Sequence, residues 1–168
     1  PRPSSRRWPP LTGVPAAVPR SWPSGLLSDL AAAVEPLLSL PAPANDVHAG
    51  YRQVVVVDGG RVVLPQFAEL VEAFAPVRSA WLSWIEPGGY VVEHVDAGPH
   101  FERWQIPFTA GGRLVQDGEP VDHEVGVPFR VRHDRWHSVE NQSDHPRVSL
   151  VIDRDVVVST TRTPFLRR

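Results

Sequence analysis

The 168-residue sequence contains no cysteine, no methionine and no lysine. Without cysteine the chain has no disulfide and no thiolate ligand, so any metal site must be built from His, Asp and Glu side chains. Without lysine, every cationic anchor for an anionic ligand must be an arginine. These absences limit the metal ligands to imidazole and carboxylate groups and the cationic anchors to guanidinium groups.

Long apolar runs and a charge imbalance are also absent. The apolar runs are much shorter than the roughly 20 residues that a transmembrane helix needs. The formal net charge of -2 gives no electrostatic reason to expect nucleic acid or an anionic membrane as a partner. We therefore expect a cytoplasmic protein that binds a small-molecule or peptide substrate and neither nucleic acid nor membrane. Its oligomeric state is not predicted.

Proline separates an N-terminal arm from a folded domain. Residues 1–23 hold seven prolines, which excludes a long helix and predicts an extended arm rich in Pro and Arg. Residues 24–168 have the length and apolar content of one domain with one core. Apolar spacing predicts helices over 24–40, ending or kinking at Pro36, and over 64–75. We expect both helices to pack on a sheet.

The rest of the domain has the pattern of an antiparallel β protein. Residues 51–64 and the chain after 77 form short β-rich runs separated by Gly and Pro. Eight to ten strands with a turn every eight to twelve residues predict a sandwich or barrel. The run "EPGGY", 86–90, predicts a turn at which the chain reverses.

A His-x-Asp pair follows this turn in "EHVDAGPH", 93–100. Because strand side chains alternate between faces, His94 and Asp96 project to the same side and can hold one ion. The best candidate for a third ligand is His137, on a distant strand. Two His and one carboxylate with open positions form the facial triad of non-haem Fe(II) oxygenases. The alternative is a hydrogen-bonded His–Asp pair and an unrelated strand histidine.

Arg147 lies ten residues beyond His137, on the next predicted strand. If the two strands are neighbours, Arg147 returns beside the metal, and its planar fork suits a carboxylate. An acidic cosubstrate is then implied. The alternative is a surface ion pair between Arg147 and Asp144 or Asp153.

Residues 81–153 resemble the aspartyl/asparaginyl β-hydroxylase family of Fe(II)- and 2-oxoglutarate-dependent oxygenases. The matching runs are "LSWIEPGGYVVEHVD", "RWQIPF" and "HSVENQSDHPRVSLVID". The complete triad, with Asp96, resembles the bacterial type similar to proline 3-hydroxylases. The resemblance implies a mainly β, double-stranded β-helix fold (jelly-roll, cupin-like). It also implies that His94 and His137, with Asp96, bind iron and that Arg147 binds the far carboxylate of 2-oxoglutarate.

Other site residues follow from the same resemblance. Ser83 and Arg103 occupy positions that contact 2-oxoglutarate. Gln105 stands where the family usually has a histidine, and its amide can still donate a hydrogen bond. Weaker candidates for binding the substrate flank the expected mouth of the site or neighbour its residues, and they are His100, His133, Arg135 and Trp104. The alternative is that these four are ordinary loop, strand or core residues.

The implied reaction is hydroxylation of an amino acid that resembles Asp, Asn or Pro and is free, carrier-bound or in a peptide. Fe(II), 2-oxoglutarate and O2 are required, and succinate and CO2 are released. Two alternatives are a cupin-like metal-dependent isomerase or lyase and a non-catalytic small-molecule-binding β-barrel. Arg147 at its offset from His137 argues against both. The substrate is not determined, because specificity resides in loops and pocket shape.

Overall fold

Two helical segments lie at the start of the folded domain. The structure, a computed structural model, describes residues 21–39, 48–96, 98 and 101–156. Helix α1 spans Ser24–Val34 and continues as a 3-10 turn over Glu35–Ser39, as expected where Pro36 interrupts the α-helical hydrogen bonds. A 3-10 turn at Pro65–Phe67 leads into α2, Ala68–Glu72. Both predicted helices are confirmed, the second shorter than expected. No helix in these ranges is long and apolar enough to cross a membrane.

Nine strands of the described residues form one curled antiparallel sheet. They are β1 His48–Asp58, β2 Arg61–Val62, β3 Val77–His94, β4 Phe101–Pro107, β5 Arg113–Gln116, β6 Glu119–Val121, β7 Phe129–Val131, β8 His137–Glu140 and β9 Arg147–Asp155. The strand order is β6-β5-β8-β3-β9-β4-β7, with β1 paired to β3 and β2 to β1. The mainly β class and the expected number of strands are confirmed.

Strand β3 is the longest and connects both halves of the sheet. Its first half pairs with β9 as far as Ile85↔Arg147, and its second half pairs with β8 as far as His94↔His137. Strand β1 pairs with both halves. The predicted reversal at 86–90 is therefore wrong, because this segment is a bend inside one strand. Gly89 permits the bend, since a Cβ there would lie 2.8 Å from the Ala49 carbonyl oxygen.

Alternation along the strands separates an apolar face from a polar one. The apolar face packs with the helical segments in the main core, which includes Leu27, Leu30, Phe67, Leu70, Phe74, Leu82, Trp84, Trp104, Ile106, Val148, Leu150 and Ile152. The opposite face carries a set of buried polar side chains, Ser83, Gln105, Arg147, Ser149 and Asp153. Because burying polar groups is costly unless they are paired, this polar face is where a site is expected.

The end of the predicted N-terminal arm belongs to the core. Trp22 is buried and stacks on Phe74 with ring centroids 5.9 Å apart. Its backbone N–H donates to the carbonyl of Gly126 over 2.9 Å. Gly126 has no side chain to obstruct this approach, since a Cβ there would lie 2.4 Å from the Trp22 carbonyl oxygen. Residues 21–23 are thus fixed on the domain, and residues 1–20 lie outside the described ranges.

Candidate metal centre

His94, Asp96 and His137 meet at the second half of β3. His94 ends β3, His137 begins β8, and the two residues are paired across the antiparallel ladder. Their ring centroids are 4.3 Å apart. One potential ligand atom from each of the three residues lies within 4.8 Å of the others. Two imidazole nitrogens and one carboxylate oxygen at this spacing could hold one metal ion.

Backbone carbonyls orient both imidazoles. Nδ1 of His94 lies 2.7 Å from the carbonyl oxygen of Val92, and Nδ1 of His137 lies 2.9 Å from that of Arg135. Because a carbonyl oxygen only accepts, each Nδ1 carries a proton, and in the neutral ring each Nε2 presents a lone pair. The two Nε2 atoms lie 3.8 and 3.3 Å from carboxylate oxygens of Asp96. Both rings therefore direct a metal-binding nitrogen toward the same carboxylate.

Asp96 follows the end of β3 and is held by several neighbours. Its backbone N–H donates to the carbonyl of His133 over 3.0 Å, and its Oδ2 accepts from Nη1 of Arg103. Burial alone would raise the pKa of Asp96, but the nearby His137 and the positive charge of Arg103 lower it below the ordinary value. The carboxylate is therefore ionised at neutral pH, the form that a metal requires.

Arg103 is enclosed by two carboxylates and two aromatic rings. Its Nε and Nη2 donate to the two oxygens of Asp153 over 2.8 and 2.9 Å. Its Nη1 donates to Asp96. The guanidinium carbon lies 5.0 Å from the ring centroid of Trp81 and 5.6 Å from that of Phe101. The resemblance implies a cosubstrate contact for Arg103, whereas its described contacts are with these protein groups.

Arg147 is a buried cation with no ion-pair partner among the described residues. It is 1% exposed and its Nε has no hydrogen-bond partner there. Its Nη2 lies 3.4 Å from Oε1 of Gln105, which is a neutral group. Burial lowers the pKa of Arg147 to about 10. Because charges are almost never fully buried unless paired, this guanidinium is suited to an anionic ligand.

Both protein partners considered for Arg147 are paired elsewhere. Asp153 binds Arg103, and Asp144 lies 3.0 Å from Nδ1 of His145. The surface ion pair considered as an alternative for Arg147 therefore does not form. A glycine also packs against this side chain, since a Cβ on Gly112 would lie 2.2 Å from Cδ of Arg147.

Hydroxyl groups also lie near the two arginines. Tyr51 of β1 is within hydrogen-bonding reach of Trp81 and Ser83, and burial raises the pKa of its phenol. The charges of both Arg103 and Arg147 act on this phenol. The hydroxyl of Ser149, paired across the strands with Ser83, has no hydrogen-bond partner within the described ranges. Sequence reasoning identified Ser83 but missed Tyr51 and Ser149, for which no local motif exists.

Three of the four weaker candidates lie within the described ranges, and their side chains have different surroundings. Trp104 is buried in the main core, on the face opposite Arg103, and so does not line the triad. His133 is buried and stacks on Phe101 with ring centroids 3.8 Å apart. The Arg135 side chain is 51% exposed, although the carbonyl of this residue orients His137. His100 lies outside the described residues.

Comparisons with solved structures identify the fold. A prolyl-4-hydroxylase from Pseudomonas putida is similar, with a TM-score of 0.54, 19% identity and coverage of 80% of this chain and 88% of that chain. A Cupin 2 conserved barrel domain protein from Salinispora arenicola has a TM-score of 0.46, 19% identity and coverage of 69% and 88%. A sugar phosphate isomerase of the cupin superfamily from Silicibacter pomeroyi has a TM-score of 0.46, 17% identity and coverage of 70% and 68%.

No family model and no curated protein matches the chain. At 19% identity, the likeness to the Pseudomonas protein shows the fold alone. The predicted mainly β fold, with helical segments packed on the sheet, is confirmed by the curled antiparallel sheet and by the likeness to the Pseudomonas protein. The structure also brings together the three residues predicted to hold a metal.

Proposed function

We propose that the protein is an Fe(II)- and 2-oxoglutarate-dependent dioxygenase that hydroxylates an amino acid. The observation that carries the proposal is Arg147, a buried guanidinium without an ion-pair partner among the described residues, on the sheet face opposite the main core. A metal-dependent isomerase or lyase would need the triad but no such anchor. A keto-diacid needs both, because one end binds the metal and the other end carries a free carboxylate.

The donor set fits a divalent iron ion. His94, Asp96 and His137 would supply two imidazole nitrogens and one carboxylate oxygen, the ligands of non-haem Fe(II) sites that keep open positions. The chain contains no cysteine, so a thiolate-rich zinc or iron–sulfur site is excluded. When bound, the ion would supply the chemistry of oxygen activation, with 2-oxoglutarate as the reductant.

The remaining residues of the polar face bind and orient the cosubstrate. The guanidinium of Arg147 would donate to its far carboxylate, and burial strengthens such a charge-assisted bond by excluding water. Gln105 accepts from Nη2 of Arg147 and so helps to fix the guanidinium. The hydroxyls of Ser83 and Tyr51, which lie close to each other, would donate to the same ligand.

The proposed substrate class rests only on similarity to other proteins. The family resemblance described above implies an Asp-, Asn- or Pro-like residue, and the Pseudomonas neighbour is a prolyl hydroxylase. We therefore extend the proposal to an amino acid that is free, carrier-bound or in a peptide. Nucleic acid and membrane are not proposed as partners.

The test is an anaerobic titration of 2-oxoglutarate into the Fe(II)-loaded protein. We expect a visible charge-transfer band with the wild type. In Arg147→Met the affinity for 2-oxoglutarate should fall by about 100-fold or more, because losing one partner of a buried charge pair costs roughly 3–5 kcal/mol. The affinity for the metal should not change. A wild-type protein that binds Fe(II) but gives no band would contradict the proposal and favour the isomerase or lyase alternative.

Two glycines provide a matched pair of variants for the anchor. Gly112 and Gly118 have positive φ angles of 76° and 80°, so alanine strains the backbone similarly at both. A Cβ on Gly112 would strike the Arg147 side chain, whereas a Cβ on Gly118 meets nothing within 4 Å. Gly112→Ala should therefore weaken 2-oxoglutarate binding, and Gly118→Ala should bind it like the wild type. Equal affinities of the two variants for 2-oxoglutarate would show that this ligand does not bind at Arg147.

A further inference from the structure

We infer that Arg103 is a positioning residue that holds the metal ligand Asp96 in place, and that Asp153 in turn fixes Arg103. The inference rests on the proposed metal site but does not require 2-oxoglutarate to be the cosubstrate. It gives Arg103 a role different from the cosubstrate contact that the family resemblance implies.

Arg103 is held rigidly by its pairing with Asp153. Arg103 of β4 and Asp153 of β9 are directly opposite each other in the antiparallel ladder. Nε and Nη2 donate to separate oxygens of the carboxylate over 2.8 and 2.9 Å. Such a two-point pair fixes the plane of the guanidinium as well as its position.

The surroundings of this pair restrict its motion further. Trp81 and Phe101 lie near the guanidinium, with ring centroids 5.0 and 5.6 Å from its central carbon. The side chains of Arg103 and Asp153 are only 11% and 10% exposed. Water therefore competes little for their hydrogen bonds, and Nη1 keeps a fixed direction.

The carboxylate of Asp96 needs a partner that holds it in place. Asp96 lies beyond the end of β3 and outside the strand ladder, and its side chain is 27% exposed. Its backbone is held by the N–H donated to His133, but the carboxylate needs its own partner. Nη1 of Arg103 donates to Oδ2. The other oxygen, Oδ1, lies 3.8 Å from Nε2 of His94 and remains available to an ion. Carboxylates that bind metals are generally hydrogen-bonded in this way.

The positive charge of Arg103 also affects the metal site. A guanidinium beside a metal ligand would repel a divalent cation if its charge were not balanced. Asp153 balances the charge of Arg103, so Asp96 keeps its full value as an anionic ligand. Asp153 should therefore support metal binding although it is not itself a ligand.

The experiment measures Mn(II) affinity from the electron paramagnetic resonance signal of the free ion, with no turnover involved. Arg103→Gln and Asp153→Asn should each weaken Mn(II) binding by roughly 10- to 100-fold. Arg103→Lys keeps the charge but loses the two-point pair, so we expect an intermediate affinity. Arg130→Gln is the matched control, because Arg130 is a half-exposed arginine of the adjacent strand β7 that pairs with Glu102, and it should bind Mn(II) like the wild type.

A double-mutant cycle separates positioning from general damage to the fold. In an Asp96→Ala background, Arg103→Gln should cause no further loss of Mn(II) affinity, because the carboxylate that it holds is gone. Equal losses with and without Asp96 would overturn the inference. Unchanged Mn(II) affinity in Arg103→Gln with weaker 2-oxoglutarate binding would overturn it too, and would restore the cosubstrate role.

The result also distinguishes this inference from the proposed function. Mn(II) binding that depends on Arg103, without any effect of 2-oxoglutarate, would support the inference and refute the oxygenase proposal. A wild-type protein that binds no Mn(II) and no Fe(II) would refute both.

Discussion

The buried charge of Arg147 favours the binding of an anionic ligand but lowers the stability of the free protein. Its guanidinium is buried beside the neutral Gln105 and has no ion-pair partner among the described residues. Burial lowers its pKa to about 10, and at about 1.4 kcal/mol per pKa unit, keeping the charge costs about 3 kcal/mol. The free protein is therefore destabilised by a group that the bound ligand would neutralise.

Arg147→Met should raise the free energy of unfolding of the ligand-free protein by about 1–3 kcal/mol, because methionine fills similar space without a charge. Urea denaturation measures the change. As a control, adding 2-oxoglutarate to the Fe(II)-loaded protein should raise the melting temperature of the wild type, and should raise that of the Fe(II)-loaded variant much less. A variant less stable than the wild type would mean that the protein compensates the buried charge in another way.

The structure groups the three residues that the sequence suggested as metal ligands. His94 ends β3 and Asp96 follows two residues later, so their proximity is a local property that the sequence reveals. Asp153 and Tyr51 were not identified as site residues, because their positions depend on the pairing of β4 with β9 and of β1 with β3. The register of these pairings depends on long-range contacts, and no motif within these strands predicts it.

At the scale of elements, the bend of β3 depends on one buried side chain. Nδ2 of Asn141 donates to the carbonyl of Ile85 in β3 over 2.9 Å and to that of His145 over 2.8 Å. Its Oδ1 accepts from the backbone N–H and the hydroxyl of Ser143. Asn141 thus ties the bend in β3 to the turn between β8 and β9.

Asn141→Ala should lower the free energy of unfolding by about 2–4 kcal/mol, since it leaves the buried carbonyl of Ile85 and partly buried backbone groups of Ser143 and His145 without this partner. Chemical denaturation is the measurement. The neighbouring Gln142→Ala is a suitable control, because its exposed side chain donates only to Glu140 among the described residues, and it should change stability by less than about 0.5 kcal/mol. Similar losses in both variants would rule out a special role for Asn141.

The bend also shows where local sequence signals mislead. Pro and two glycines at 87–89 are typical of a chain reversal, and we predicted one. In the structure, β1 pairs with β3 on both sides of these residues, and Asn141 satisfies the backbone between them. Tertiary pairing therefore outweighs the local preference, and two predicted strands become one.

At the scale of the whole molecule, His123 should make stability depend on pH. Burial lowers the pKa of His123 below 6.5, and the charge of Arg147 acts in the same direction. Below pH 6.5 the unfolded chain therefore binds more protons at this residue than the folded protein does. Because stability rises with pH wherever the unfolded state binds more protons, it must fall as the pH decreases below this value.

His123→Gln should reduce the loss of melting temperature between pH 7.5 and about 5.5, measured by circular dichroism. His145 is the control of opposite sign, because Asp144 raises its pKa and its contribution is present at low pH and lost as pH rises. His145→Gln should therefore not reduce the acid loss. Parallel curves for wild type and His123→Gln would show that other groups govern the acid response.

The overall fold was predictable because it depends on patterns repeated along the chain. Short β-rich runs between Gly and Pro indicated an antiparallel β domain, and helical spacing around Leu27 and Leu70 indicated the two covering segments. The strand order could not be predicted, since β3 pairs with strands far away in the chain. The substrate could not be predicted either, because the shape of the pocket depends on the strand order.

Strand β3 carries the partners of both ends of the proposed ligand site, Ile85 opposite Arg147 and His94 opposite His137. The interval between the anion anchor and the metal position is thus set by one continuous piece of backbone. The backbone of β3 would therefore act as a common frame, so that a change in its course between Ile85 and His94 would shift one end of the site relative to the other.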